Sequence, residues 1–228
     1  MKKRTKKCVI LLSGGLDSSV VLSICNKLKY EIYAISFNYK QRHAKELDLA
    51  KWQAKKHNVK SHKIFNIDLY GGSALTDDIK VPENKDVASI PKTIPVTYVA
   101  GRNLVFLSIA AGYAESLDIN DIYIGVNSVD YSGYPDCRKE FIVSFEKIIN
   151  KCTKKGLEGR SFRIKTPLIN LSKGEIVSVG KKNNVDFSKT SSCYNPKNSK
   201  SCGLCDSCLL RKKGFKDAKV KDPLVYDV

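Results

Sequence analysis

Cys8-Val9-Ile10-Leu11-Leu12-Ser13-Gly14-Gly15-Leu16-Asp17-Ser18-Ser19-Val20-Val21 is the stretch on which the reading of the fold turns. The apolar run 8–12 suits a strand buried on both faces of a parallel sheet. Gly14-Gly15 interrupts it, and from Asp17 onward Val20, Val21, Ile24 and Leu28 recur at helical spacing. A glycine turn between a buried strand and a helix makes a phosphate cradle. The backbone approaches an anion closely, the hydroxyls of Ser13, Ser18 and Ser19 donate, and the helix start adds free N–H groups and its positive dipole end. A plain Gly-Gly turn capped by Asp17 or Ser18 uses some of the same residues, but only the cradle uses the whole string. The string lacks the Gly-Lys-Ser/Thr ending of a Walker A loop.

Outward from this turn, apolar runs alternate with helical patterns. Strands are expected at 8–12, 32–37, 61–67, 121–126 and 162–165, and helices at 17–28, 43–57, 103–117, 140–152 and 173–182. Such alternation predicts an α/β fold with a parallel sheet covered on both faces and ligands outside the strands' carboxyl ends. The helix at 103–117 is apolar almost all round, so deep burial is expected. Residues 70–101 show no period and carry Pro82, Pro91 and Pro95, the marks of a functional loop or lid. From about residue 190 the periodic pattern stops and a cysteine-rich tail begins. The expected division is a nucleotide and substrate domain over 1–189 and a small metal-binding tail over 190–228, packed on the same unit.

Composition narrows the function classes. With 228 residues, 42% hydrophobic and 28% charged, the chain suits one globular domain with a small appendage rather than a disordered one. No apolar run reaches the roughly 20 residues of a membrane span. The net charge of +17 attracts polyanions. Its basic residues are scattered from Lys2 to Lys221, however, which favours a lysine-rich surface over a nucleic-acid stripe. MKKRTKK followed by CVILL imitates a secretory signal, but the apolar stretch stops at Leu12, short of the usual ~7–15 residues. A cytoplasmic protein with reduced thiols is expected.

The eight cysteines then matter through spacing. Cys193, Cys202, Cys205 and Cys208 form C-x8-C-x2-C-x2-C, which suits a closed, tetrahedral and therefore structural zinc; an iron–sulfur cluster also accepts four cysteines. Cys8, Cys25, Cys137 and Cys152 lack such spacing and read as buried free thiols. Two polar segments adjoin predicted elements. In the first, 97–103, Arg102 is a fork donor suited to carboxylate or phosphate; alternatively it is a solvated surface residue, with Asn103 capping the helix. The second, 125–138, offers an amide at Asn127, acceptors at Asp130 and Asp136, and aromatic faces at Tyr131 and Tyr134. By composition alone it is an ordinary turn-rich loop.

SGGLDSS resembles the PP-loop of the ATP pyrophosphatases, which activate an oxygen atom as its AMP ester and release pyrophosphate. SGGLDSS, FNYKQRHAKEL, TYVAGRNLVFLS, GVNSVDYSGYPDCR, TPLINLSKGEI and the cysteine set occur in that order. Together they resemble the 7-cyano-7-deazaguanine synthase family over residues 8–216. The pairing of SGYPDCR with the cysteine tail is the most specific part. The resemblance implies a Rossmann-like, adenine nucleotide alpha hydrolase-like domain with a zinc-binding tail. It implies conversion of 7-carboxy-7-deazaguanine and ammonia to the 7-cyano base in queuosine biosynthesis, through adenylated carboxylate and amide, with Mg2+ accompanying ATP and one Zn2+ per chain. Ile10, Leu11, Leu12, Ser13, Gly14, Gly15, Leu16, Asp17, Ser18, Ser19 and Val20 then form the nucleotide site. Asp17, Ser18 and Lys173 are the catalytic candidates, Lys173 supplying a cation unless it is an exposed helix lysine. Arg102, Asn103, Asn127, Asp130, Tyr131, Tyr134, Asp136 and Arg138 are the substrate candidates. Either Asp130 or Asp136 reads the guanine-like edge, and Arg102 and Arg138 both suit the substrate carboxylate. A cytoplasmic homodimer acting on small molecules, with no stable nucleic-acid or membrane partner, is the implied setting. Two rivals remain: a tRNA-modifying PP-loop enzyme (thiolation or lysidine-type ligation), and a non-catalytic zinc module that binds nucleic acid.

Overall fold

The computed structural model describes residues 5–41, 45–69, 71–91, 93–127, 133–197 and 200–227. Alternation along its central strand, β1 (Lys7–Leu11), sets the layers, because successive side chains point to opposite faces. Val9 and Leu11 join one core cluster, while Cys8, Ile10 and Leu12 join the other. Both faces must therefore be covered. β2 (Glu31–Asn38) and β4 (Asp121–Tyr123) flank β1, and β3 (Ser61–Asn66) and β5 (Arg163–Lys165) complete the order β3-β2-β1-β4-β5. Every pairing is parallel; Val9 stands beside Tyr33 on β2 and Ile122 on β4.

Helices α1 (Leu16–Lys27), α2 (Lys45–Lys56) and α6 (Lys173–Lys182) pack on the face bearing Ile10, together with α7 (Asp206–Asp217). Helices α3 (Arg102–Ser116) and α4 (Lys139–Cys152) cover the face bearing Val9. The short α5 (Lys154–Leu157) follows, started by the Thr153 side chain accepting from Gly156 N. Every expected strand is present, as is every expected helix, with ends shifted by a few residues.

Four expectations need correction. β4 ends at Tyr123 rather than Val126, because the chain then passes over the start of α1. A Cβ at Gly125 would lie 3.0 Å from Ser18 N. Helix α3 is not buried all round: Leu104, Ser108, Gly112 and Ser116 form an exposed stripe at i, i+4 spacing. The tail is not without periodic structure, since α7 runs for three turns and buries Leu209, Leu210 and Phe215; the cysteine spacing and the basic run Arg211 to Lys213 mask that pattern in the sequence. Only Cys8 and Cys25 of the unassigned cysteines are buried, whereas Cys137 is half-buried and Cys152 is exposed where α4 ends.

The irregular segment is anchored rather than free. Ala74 and Val81 pack with the four tail cysteines, and Ile90 packs with Leu209 and Leu210. Asn84 Nδ2 donates to Asp206 Oδ1 at 2.6 Å. No helix among the described residues is long and apolar enough to cross a membrane.

Candidate active site

A cavity of about 310 Å³ opens at the carboxyl ends of β1, β2 and β4, where the topology of an open parallel sheet places ligands. The 13–19 loop forms its floor. Gly14 has φ +84°, and a Cβ there would lie 2.2 Å from the Glu46 carbonyl oxygen. Only glycine permits both the left-handed backbone and the approach of α2. Gly14→Ala is therefore expected to cost more than about 2 kcal/mol of stability in urea unfolding and to displace α2 from the loop. Ser13 Oγ accepts from Gly15 N at 3.1 Å and lies 3.0 Å from Ser18 Oγ. The Gly14 carbonyl accepts from Ser191 N at 3.2 Å and from Gln53 Nε2 at 3.4 Å, so the C-terminal tail and α2 both hold the loop.

Three cations or positive helix ends converge here. α1 starts at Leu16, and α6 starts at Lys173 behind a capping box of Ser172 and Glu175. Lys173 Nζ reaches both oxygens of Asp17, at 2.9 and 2.8 Å, with its side chain only 14% exposed. The ion pair points into the cavity, which excludes the exposed-lysine alternative. The lysine stem is gripped from behind by α7: a Cβ on Gly214 would lie 2.5 Å from Lys173 Cγ.

Across the cavity, Arg102 projects from the first turn of α3, and its Nη1 donates to Tyr39 Oη at 3.1 Å. The walls are aromatic. Phe37 and Phe106 stack at 3.9 Å, Tyr98 and Tyr134 at 6.0 Å, and Tyr134 Oη lies 2.8 Å from Thr97 Oγ1 and 3.4 Å from Tyr194 Oη. Burial raises the pKa of Tyr39, Tyr134 and Tyr194, so they present neutral hydroxyls. Burial likewise pushes the Cys137 thiol, which lines the cavity, up to about 12, which leaves it neutral and a poor nucleophile.

Placement of the sequence candidates is uneven. Leu11, Leu12, Ser13, Gly15, Leu16, Asp17, Ser18, Arg102, Asn103, Asn127, Tyr134 and Lys173 line the cavity. Ile10 and Val20 do not; both are wholly buried in the core beneath the loop. Gly14 and Ser19 hold the loop from outside the cavity, Ser19 Oγ bonding Gly15 O at 2.6 Å and Gln53 Oε1 at 2.9 Å. Asp136 is not offered to a ligand, because it caps α3: its Oδ2 accepts from Asn103 N at 2.9 Å. Arg138 is exposed at the start of α4, outside the cavity lining. Asn127 spends its amide on the carbonyls of Leu168 and Leu171. Asp130 and Tyr131 lie outside the described residues.

Sequence reasoning assigned no role to Tyr39, Glu46, Ser191, Ser192 and Tyr194, all of which line the cavity. The rule that ligands sit beyond strand ends points to Tyr39, just past β2. Glu46 lies in the first turn of α2, half-buried, and burial pushes its carboxyl up to about 8 against the pull of the Arg102 guanidinium.

The sulfurs of Cys193, Cys202, Cys205 and Cys208 lie within 4.8 Å of one another, and all four residues are buried. Backbone N–H groups point at them: Cys202 N at 3.2 Å from Cys193 Sγ, Cys205 N at 3.4 Å from Cys202 Sγ, and Tyr194 N at 3.4 Å from Cys205 Sγ. Donors aimed at sulfur stabilise thiolates, so this cluster fits a metal ion.

Comparison with known proteins agrees with this geometry. A family profile described as "Queuosine biosynthesis protein QueC" matches residues 7–219. A protein from Saccharophagus degradans named 7-cyano-7-deazaguanine synthase is 53% identical over 225 residues, covering 97% of this chain and 98% of its own length. One of the same name from Acetivibrio thermocellus is 53% identical over 222 residues, with the same coverages. Among solved structures, a 4-thiouridine synthetase–RNA complex with bound ATP has a TM-score of 0.50 at 19% identity, covering 94% of this chain and 50% of that one, a likeness of fold alone. Matched along nearly its whole length by close relatives, the chain belongs to the queuosine biosynthesis protein QueC family.

Proposed function

We propose that this cavity performs the synthase reaction for which its relatives are named: 7-carboxy-7-deazaguanine, ammonia and ATP become 7-cyano-7-deazaguanine, AMP and pyrophosphate. The observation that carries the reading is the Lys173–Asp17 pair set over a Gly-Gly loop at two helix starts. The loop amides, the Ser13 and Ser18 hydroxyls and Lys173 meet the charge that develops on the departing pyrophosphate. Asp17 is the loop carboxylate that would hold a magnesium ion arriving with ATP, which when bound would spread that charge further. Arg102 draws the substrate carboxylate toward the α-phosphorus, and Phe37, Phe106 and Tyr134 offer faces to flat rings. The 71–101 segment, with Leu75 in the cavity wall, serves as the lid that keeps water from the acyl-adenylate.

Zinc is the metal in this reading, held by Cys193, Cys202, Cys205 and Cys208 in a closed structural shell. Residues 190–228 act as a tail integral to the nucleotide domain, because Ser191 holds Gly14 and α7 grips Lys173. The working form is a cytoplasmic homodimer that acts on small molecules without a stable nucleic-acid partner.

Incubation with ATP and ammonia, adding either the carboxy base or tRNA, tests the proposal. AMP release dependent on the small base is expected. Release dependent on tRNA, with a steep fall as salt rises, would contradict it.

A further inference from the structure

Resting on the reading above, the structure carries an assignment for the acid the mechanism has not used. Making a nitrile from a carboxylate discards protons from one nitrogen at several points. When ammonia attacks the acyl-adenylate, the C–N bond forms, the C–O bond breaks, and AMP leaves with the electron pair; the nitrogen surrenders one proton. When the amide oxygen then takes the α-phosphoryl group of a second ATP, pyrophosphate leaves and a second N–H proton is lost. Scission of the second C–O bond expels AMP and releases the last one, leaving the triple bond. A fixed base beside that nitrogen serves every step.

Among the described residues lining the cavity, the bases are few. Asp17 is held through both oxygens by Lys173. The Cys137 thiol and the hydroxyls of Tyr39, Tyr134 and Tyr194 are neutral. Lys173 and Arg102 are cations. Asp136 faces α3. Glu46 remains: it lines the cavity from α2, and no hydrogen bond or ion pair within 4.0 Å joins its carboxylate to a described side chain, Arg102 included. Apart from the charge of Arg102, no described side chain gives this half-buried carboxylate a structural reason to be there.

We propose that Glu46 is the proton acceptor for the reacting nitrogen, first from ammonia and then from the amide, passing each proton to solvent before the next step. Its raised pKa fits that exchange, since a base near neutrality both takes and returns a proton.

Glu46→Gln keeps the size and removes the base. Carboxyl-dependent exchange of pyrophosphate into ATP, measured without ammonia, reports folding and adenylation and is expected within a few-fold of wild type. Ammonia-dependent amide and nitrile formation is expected to fall by about 10²–10⁴. Hydroxylamine, a weaker base whose adduct yields its proton to water more readily, is expected to trap the adenylate within tenfold of the wild-type rate. Ammonia-dependent turnover within threefold of wild type would overturn the assignment. So would a parallel loss of pyrophosphate exchange, which would place Glu46 in binding ATP or the base, or an equal loss with hydroxylamine. The parent reading fails separately, and takes this one with it, if wild-type protein forms no amide from ammonia.

Discussion

Asp17→Ala is expected to remove release of AMP and pyrophosphate, by at least about 10³-fold, while leaving a folded protein. Asp17 holds Lys173 through both carboxylate oxygens. Without it the ammonium loses its fixed aim at the loop, and the loop loses its carboxylate. The pair lines the open cavity, with Asp17 26% and Lys173 14% exposed. Water reaches the stranded ammonium there, so the stability cost stays near that of a screened ion pair, on the order of 1 kcal/mol. Pyrophosphate release and a thermal melt on the same preparation separate the two effects. Wild-type turnover in this variant would remove the 13–19 loop from the chemistry.

Cys205→Ser is expected to have the largest effect on stability. Metal analysis of wild type should find about one zinc per chain, and the variant should retain none. Cys205 precedes the first residue of α7, and Cys208 lies within that helix. Losing the ion frees α7, the 71–101 segment packed against the cysteines, and the isolated backbone bridge between Ser201 and Tyr226. A loss of roughly 3–5 kcal/mol lowers the melting temperature by about 10 °C for a chain of this size. Adenylation should fall with it, because Ser191 no longer fixes the Gly14 carbonyl and α7 no longer supports Lys173. A brown, iron-bearing wild-type protein, or a variant that melts with wild type, would contradict the zinc assignment.

Much of this was legible in the sequence, and the reasons are local. β1 and α1 were readable because an apolar run, a glycine pair and a helical repeat follow one another without interruption. The cysteine cluster was readable because two-residue gaps leave few geometries. Arg102 and Lys173 were candidates through the family resemblance, each with a surface alternative, and the structure puts both in the cavity lining. The misassignments have the opposite cause. Asp136 is one of two alternative acceptors in the sequence, with Asp130, but whether a carboxylate faces a cavity or caps a helix depends on docking against a residue 33 positions away in sequence. Ile10 and Val20 belong to the motif but not to the surface, since alternation and helical phase turn them into the core. Glu46 carries no local signal: only the packing of α2 against Gly14 brings it beside Arg102. Helix α7 escaped notice because Cys208 serves the metal site and a run of basic residues, Arg211 to Lys213, interrupts its apolar positions, leaving few to carry a period.

The central claim is that the 13–19 loop retains the β- and γ-phosphates as the leaving group. Phosphorus NMR of the complete reaction tests it directly, with the carboxy base, ammonia and Mg·ATP followed to the nitrile. Equal amounts of AMP and pyrophosphate, and no ADP, are predicted. ADP and orthophosphate accumulating with the nitrile would contradict the account.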